Sequence, residues 1–130
     1  MPQASTDTGG ATQPTISTHV LDTGSGRPAV AVPVTLSKLD DAGRPIRMTQ
    51  ILTDADGRVR DLLERPLATG TYRLEFDLAR RGGASGTASA TPDALFFERV
   101  IVDVRVEDTT RSYHVPLLVA PFSVSSYRGS

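Results

Sequence analysis

Cysteine is absent from this chain of 130 residues. Its absence excludes a disulfide scaffold, thiol catalysis and thiolate metal sites, and it fits a reducing compartment. A dominant charge is also lacking. The net charge is −1 with both signs scattered, so nothing steers the chain toward DNA, RNA or an anionic membrane. No apolar run approaches the ~20 residues that span a bilayer. Neither nucleic acid nor membrane is therefore an expected partner. The first residues, Met1 to Pro14, have no basic region followed by an apolar one, so they do not read as a secretory signal. They are expected to form a disordered leader over 1–14, ahead of one domain over 15–130. The sequence does not end in the Ser-Lys-Leu peroxisomal address, and the expected compartment is the cytoplasm. Helical periodicity is scarce, and no nucleophile elbow or phosphate-binding glycine loop occurs.

What is present is period-2 alternation. Ile16, Thr18 and Val20 share one face of a first strand, and Ser17, His19 and Leu21 share the other. A second strand is expected from Val30 to Leu39, where Pro33 demands an edge or a bulge because it has no N–H for a ladder. A third is expected near Met48 to Thr53. Tyr72, Leu74, Phe76 and Leu78 alternate with Arg73, Glu75 and Asp77. Val100, Val102, Val104 and Val106 mark the clearest strand. Two more follow, from Ser112 to Val119 and from Phe122 to Tyr127, while Val59 to Glu64 allows a turn or a short strand. The punctuation is turn chemistry: Gly24 to Pro28, Asp40 to Pro45, and Asp54-Ala55-Asp56-Gly57. Arg80 to Pro92 reads as a low-complexity loop, with a helical turn near Pro92 to Leu95. Seven or eight short strands in one domain predict a sandwich of two sheets.

Chemistry-bearing residues are few. The two histidines, His19 and His114, both fall on strand faces opposite the apolar ones. Such an imidazole is commonly only solvated, yet it is also the usual general base near neutral pH and can orient water without a metal. No cluster of His or carboxylates has zinc-ligand spacing, so no metal is expected. Asp54 and Asp56 resemble the start of a calcium loop but lack the later ligands and the closing Glu, so a turn explains them better. Arg58 follows that turn and Arg128 lies near the end; each is either solvated or a planar clamp for an anion or carbonyl. The last four residues, Tyr127-Arg128-Gly129-Ser130, combine an aromatic, a cation, a permissive glycine and a hydroxyl behind the apolar run Val115 to Val119. Termini ordinarily carry little such chemistry, so this one reads as part of a site.

The strings themselves go further. Ser17-Thr18-His19-Val20-Leu21-Asp22-Thr23, followed by Gly26-Arg27-Pro28-Ala29, resembles the N-terminal signature of the 5-hydroxyisourate hydrolases, the transthyretin-related proteins. Thr53 to Arg58 resembles that family's central turn. Tyr113-His114-Val115-Pro116-Leu117-Leu118, Pro121-Phe122 and Tyr127-Arg128-Gly129-Ser130 resemble its C-terminal signature. Departures occur at Phe96-Phe97-Glu98-Arg99, at Ser123-Val124-Ser125 and in the glycine-rich loop.

The resemblance implies an all-β, transthyretin-like (prealbumin-like) sandwich of two four-stranded antiparallel sheets with one short helix. It implies a homotetramer built as a dimer of dimers, with sites at a subunit interface. The implied activity is ring-opening hydrolysis of 5-hydroxyisourate to 2-oxo-4-hydroxy-4-carboxy-5-ureidoimidazoline in urate breakdown, with no cofactor. By that resemblance His19, Arg58, His114 and Ser130 are catalytic, and His19, Arg58, Tyr127, Arg128 and Gly129 bind substrate. A transthyretin-like carrier of a small aromatic ligand and a purely structural module of the same fold remain the rival readings.

Overall fold

Alternating apolar side chains need a partner layer, and the chain supplies one by folding two sheets face to face. The structure, a computed structural model, describes residues 13–80 and 95–130. Its strands are β1 (Ile16–Asp22), β2 (Arg27–Pro28), β3 (Pro33–Leu39), β4 (Pro45–Leu52), β5 (Arg58–Val59), β6 (Gly70–Asp77), β7 (Arg99–Val106), β8 (Tyr113–Ala120) and β9 (Ser123–Ser126). One sheet runs β4-β3-β6-β7. The other runs β9-β8-β1-β2, with β5 also paired to β1.

The core lies between them. Ile16, Val20, Val34, Leu36, Tyr72, Leu74, Phe76, Leu117 and Val119 are buried. Each contributes roughly 1.5–3 kcal/mol through the apolar surface it removes from water. Alternation puts their neighbours on the outside, where Arg73 on β6 stands opposite Asp103 on β7. The two make a forked ion pair at 2.9 and 3.1 Å. The chain crosses between layers through Thr53, which is buried. Its hydroxyl donates to the Ala29 carbonyl at 2.7 Å and accepts from the Val32 N–H at 2.8 Å.

The two-sheet sandwich expected from the alternation is present, with four differences of detail. First, β1 and β8 run parallel, from Ile16 opposite Tyr113 to Asp22 opposite Val119, so the second sheet is mixed. It also holds five strands when the two-residue β5 is counted. Second, Val30 is exposed and lies outside the strand, which begins only at Pro33. Third, Pro33 sits in a central strand, not an edge. As its first residue it needs no special accommodation, and the register shift in β3 falls instead at Leu36/Ser37. Fourth, the helical content among the described residues is a single 3-10 turn at Leu78–Arg80. The helical turn expected near Pro92 to Leu95 and most of the glycine-rich loop lie outside the described residues, as do the first twelve residues of the expected leader.

Candidate active site

Pairing register decides which polar side chains meet on the outer face of the β9-β8-β1-β5 sheet. On β1, Ser17 and His19 point away from the core, because Ile16, Thr18 and Val20 point into it and are buried. On β8, Tyr113, Val115 and Leu117 take the inner face, which sends His114 outward. The parallel register places Ser17 opposite His114 and His19 opposite Pro116. On the other side of β1, His19 stands opposite Arg58. Arg58, His19, Ser17 and His114 therefore form one contiguous row, each half-buried.

Arg58 is held there by the preceding turn. The Asp54 carboxylate accepts from the N–H groups of Asp56 at 2.8 Å and Arg58 at 3.0 Å. The Arg58 and Asp56 bonds are the main reason that the Asp54 carboxyl lies below its ordinary value. Asp54 is thus occupied as a turn former. Among the described residues no group of three or more His, Cys, Asp or Glu could hold a metal ion. Gly57 closes the turn at φ +76° and carries the backbone against β1, where the Val20 N–H donates to its carbonyl at 2.7 Å.

The His114 imidazole sits at the centre of the arrangement. Its Nδ1 lies 2.8 Å from the Ser17 hydroxyl. Burial, then the Arg58 cation, then His19 hold its pKa below the ordinary histidine value of 6.5. A neutral imidazole near a guanidinium can accept a proton from water while the cation stabilises a nearby oxyanion.

The final segment reaches the same place. Gly129 forms a β-bridge with His114, its N–H donating to the His114 carbonyl at 2.8 Å. Ser130 follows directly and is exposed. Arg128 goes elsewhere: its guanidinium stacks on the ring of Tyr113, 5.1 Å from the centroid. Tyr113 itself points inward and bonds through its hydroxyl to the backbone of Asp108. Tyr127 and Arg128 help line a cavity of about 320 Å³ with Val102, Val104, Tyr113 and His114. His19 and Arg58 are not among its walls, so of the histidine–arginine row only His114 borders it. Two residues that sequence reasoning gave no role of this kind are now visible: Ser17 as the partner of His114, and Gly129 as its packing surface.

Fold and face together define a transthyretin-type β-sandwich with an outward histidine–arginine row. Comparison with known proteins makes this specific. Residues 16–129 match the HIUase/Transthyretin family, and the chain belongs to that family. It is 41% identical over 116 residues to a 5-hydroxyisourate hydrolase of Caulobacter vibrioides, covering 88% of this chain and 97% of the relative. It is 37% identical over 117 residues to that of Mus musculus, covering 88% and 94%. Among solved structures, Klebsiella pneumoniae 5-hydroxyisourate hydrolase superposes with a TM-score of 0.72 at 32% identity, over 90% of this chain and 99% of that one. Sea bream transthyretin in complex with thyroxine gives 0.74 at 28% identity, over 88% and 93%.

Proposed function

We propose that this protein is a hydrolase of urate degradation that opens the ring of 5-hydroxyisourate to 2-oxo-4-hydroxy-4-carboxy-5-ureidoimidazoline. The observation that carries this reading is the row of Arg58, His19 and His114 on one open sheet face. The relatives named 5-hydroxyisourate hydrolase support it.

The residues suit the step. A water oriented by His19 and His114 adds through oxygen to a ring carbonyl carbon as an imidazole takes its proton. The carbonyl pair becomes an oxyanion, which Arg58 stabilises. Collapse breaks the bond from that carbon to the ring nitrogen, and the imidazolium returns the proton to the departing nitrogen. Ser130 contributes its hydroxyl to the water, Gly129 borders the substrate beside His114, and Tyr127 and Arg128 border it from the cavity that His114 also lines. Acid–base and electrostatic catalysis suffice, so no cofactor is invoked, and the enzyme works in the cytoplasm.

The test generates the substrate in place, by oxidising urate with uricase in the presence of this protein. The expected result is loss of 5-hydroxyisourate absorbance faster than its spontaneous decay. A folded protein that binds 5-hydroxyisourate without accelerating its loss would favour the carrier reading and overturn this one.

A further inference from the structure

We infer that Ser17 and Gly129 form a clamp on the His114 ring that fixes its rotamer, which makes both of them positioning residues. The inference rests on the hydrolase reading above and adds the means by which one of its imidazoles is kept ready.

The clamp has two jaws from distant parts of the chain. On the β1 side, the Ser17 hydroxyl sits 2.8 Å from Nδ1. This is the contact dictated by the parallel register, with Ser17 opposite His114. On the other side, the bridge to Gly129 brings bare backbone against the opposite edge of the ring. A Cβ added at Gly129 would lie 2.6 Å from His114 Cδ2 and 3.2 Å from both Cβ and Cγ. Real side chains do not approach so closely, so the ring occupies space that only glycine leaves free.

The two jaws resist the same motion. A half-turn of the imidazole about its Cβ–Cγ bond would exchange Nδ1 for Cδ2. That would put a carbon against the Ser17 hydroxyl and strand Nδ1 against Gly129. The observed orientation keeps the hydrogen bond and leaves Nε2 as the ring nitrogen that the Ser17 hydroxyl does not engage. Ser17 makes no other side-chain hydrogen bond among the described residues. The hydroxyl can donate to Nδ1 or accept from Nδ1–H, so it holds the ring in this orientation whichever nitrogen carries the proton. Burial, then Arg58 and His19 on the same face, disfavour a second proton on the ring, which keeps it a neutral base.

The chain has only two histidines, so the ring nitrogens can be read directly by nitrogen-15 NMR, with a His19→Asn variant to assign them. In the wild type the His114 Nδ1 signal is expected to be sharp and displaced by its hydrogen bond from the position of a solvated imidazole. Ser17→Ala should return that signal toward the solvated position. It should also lower kcat about tenfold, the scale of one lost hydrogen bond, with KM changed less than about twofold. Ser17→Thr retains the hydroxyl and is expected to restore both the displaced Nδ1 signal and kcat. Gly129→Ala should displace the ring, lowering kcat and broadening the same signals.

A wild-type His114 Nδ1 signal at the position of a solvated imidazole would overturn the clamp without any variant having to fold. So would a Ser17→Ala protein identical to wild type in kcat, pH profile and spectrum while His114→Ala is inactive. If instead His114→Ala turns over normally but the displaced Nδ1 signal is observed, the catalytic reading falls and the clamp stands.

Discussion

Arg58 owes its position to Asp54, and this separates its backbone from its side chain. The Arg58 N–H is fixed by the Asp54 carboxylate at 3.0 Å, a bond that any residue at 58 can make. Arg58→Ala should therefore keep the turn and the fold while removing the guanidinium from the face shared with His19. Loss of an oxyanion donor commonly costs a factor of about 100 or more in turnover. Steady-state decay of 5-hydroxyisourate is expected to slow by at least that much, with an unchanged circular dichroism spectrum. Near-normal turnover would remove Arg58 from the mechanism.

His114 makes a second prediction, in pH. Burial, Arg58 and His19 lower its pKa, so the neutral base persists to lower pH than in a free histidine. The acidic limb of kcat/KM should fall below the ordinary value of 6.5. Stability moves with the same sign. As pH drops below 6.5, the unfolded chain takes up the proton before the folded one does, so it binds more protons in that window. Stability then rises with pH through the window, is complete above 6.5 and is lost as pH falls. Denaturant midpoints measured across this range check the sign. The pH dependence should flatten in His114→Asn, and an acidic limb above 6.5 in the wild type would contradict the assignment.

At the level of elements, the site is a consequence of how β1 is flanked. One neighbour, β8, is parallel and 97 residues away at Ser17–His114. The other, β5, is two residues long and exists because Gly57 turns the chain back onto β1. Gly57 is at φ +76°, and a Cβ there would lie 2.5 Å from the Val20 carbonyl oxygen and 2.9 Å from Pro28 Cβ. Both neighbours are packed, so relief requires β5 to move. Gly57→Ala should destabilise the fold by about 2 kcal/mol or more, the scale of a non-glycine residue forced into a strained conformation. It should also pull Arg58 off His19. Urea denaturation measures the first effect and turnover the second. A midpoint equal to wild type would show that the turn is more forgiving than its geometry.

Alternation alone made the outward faces of His19 and His114 legible, because period 2 survives in any half-buried strand. It could not show that these faces belong to adjacent strands. A parallel pairing between the first strand and a late one has no local signal, since no turn joins them. The same gap hid Ser17: its place on the His19 face was readable, but its partner was not. The structure directs Arg128 to Tyr113, a contact between residues whose meeting depends on where the last strand ends.

At the scale of the whole molecule, the described residues leave the sandwich open along one side. Among the described residues the edge strand β7 pairs only with β6, and β9 only with β8. Inward-facing Val100, Val102 and Val104 remain half-buried even though Val106 on the same face is closed off. Beside them Ile101 is 49% and Tyr127 is 58% exposed. Open edges with adjacent apolar surface favour pairing with another chain. A homotetramer arranged as a dimer of dimers, the assembly implied by the sequence signatures, would cover such edges and place sites between subunits. Sedimentation at micromolar concentration is then expected to give a species of four times the 13.9 kDa chain mass. The argument extends to function. If the sites are completed across a subunit boundary, activity per chain must fall when the protein is diluted far enough to dissociate, and must recover on concentration by mass action. Turnover per chain that stays constant while sedimentation records dissociated monomer would show that each sandwich carries a complete site on its own face.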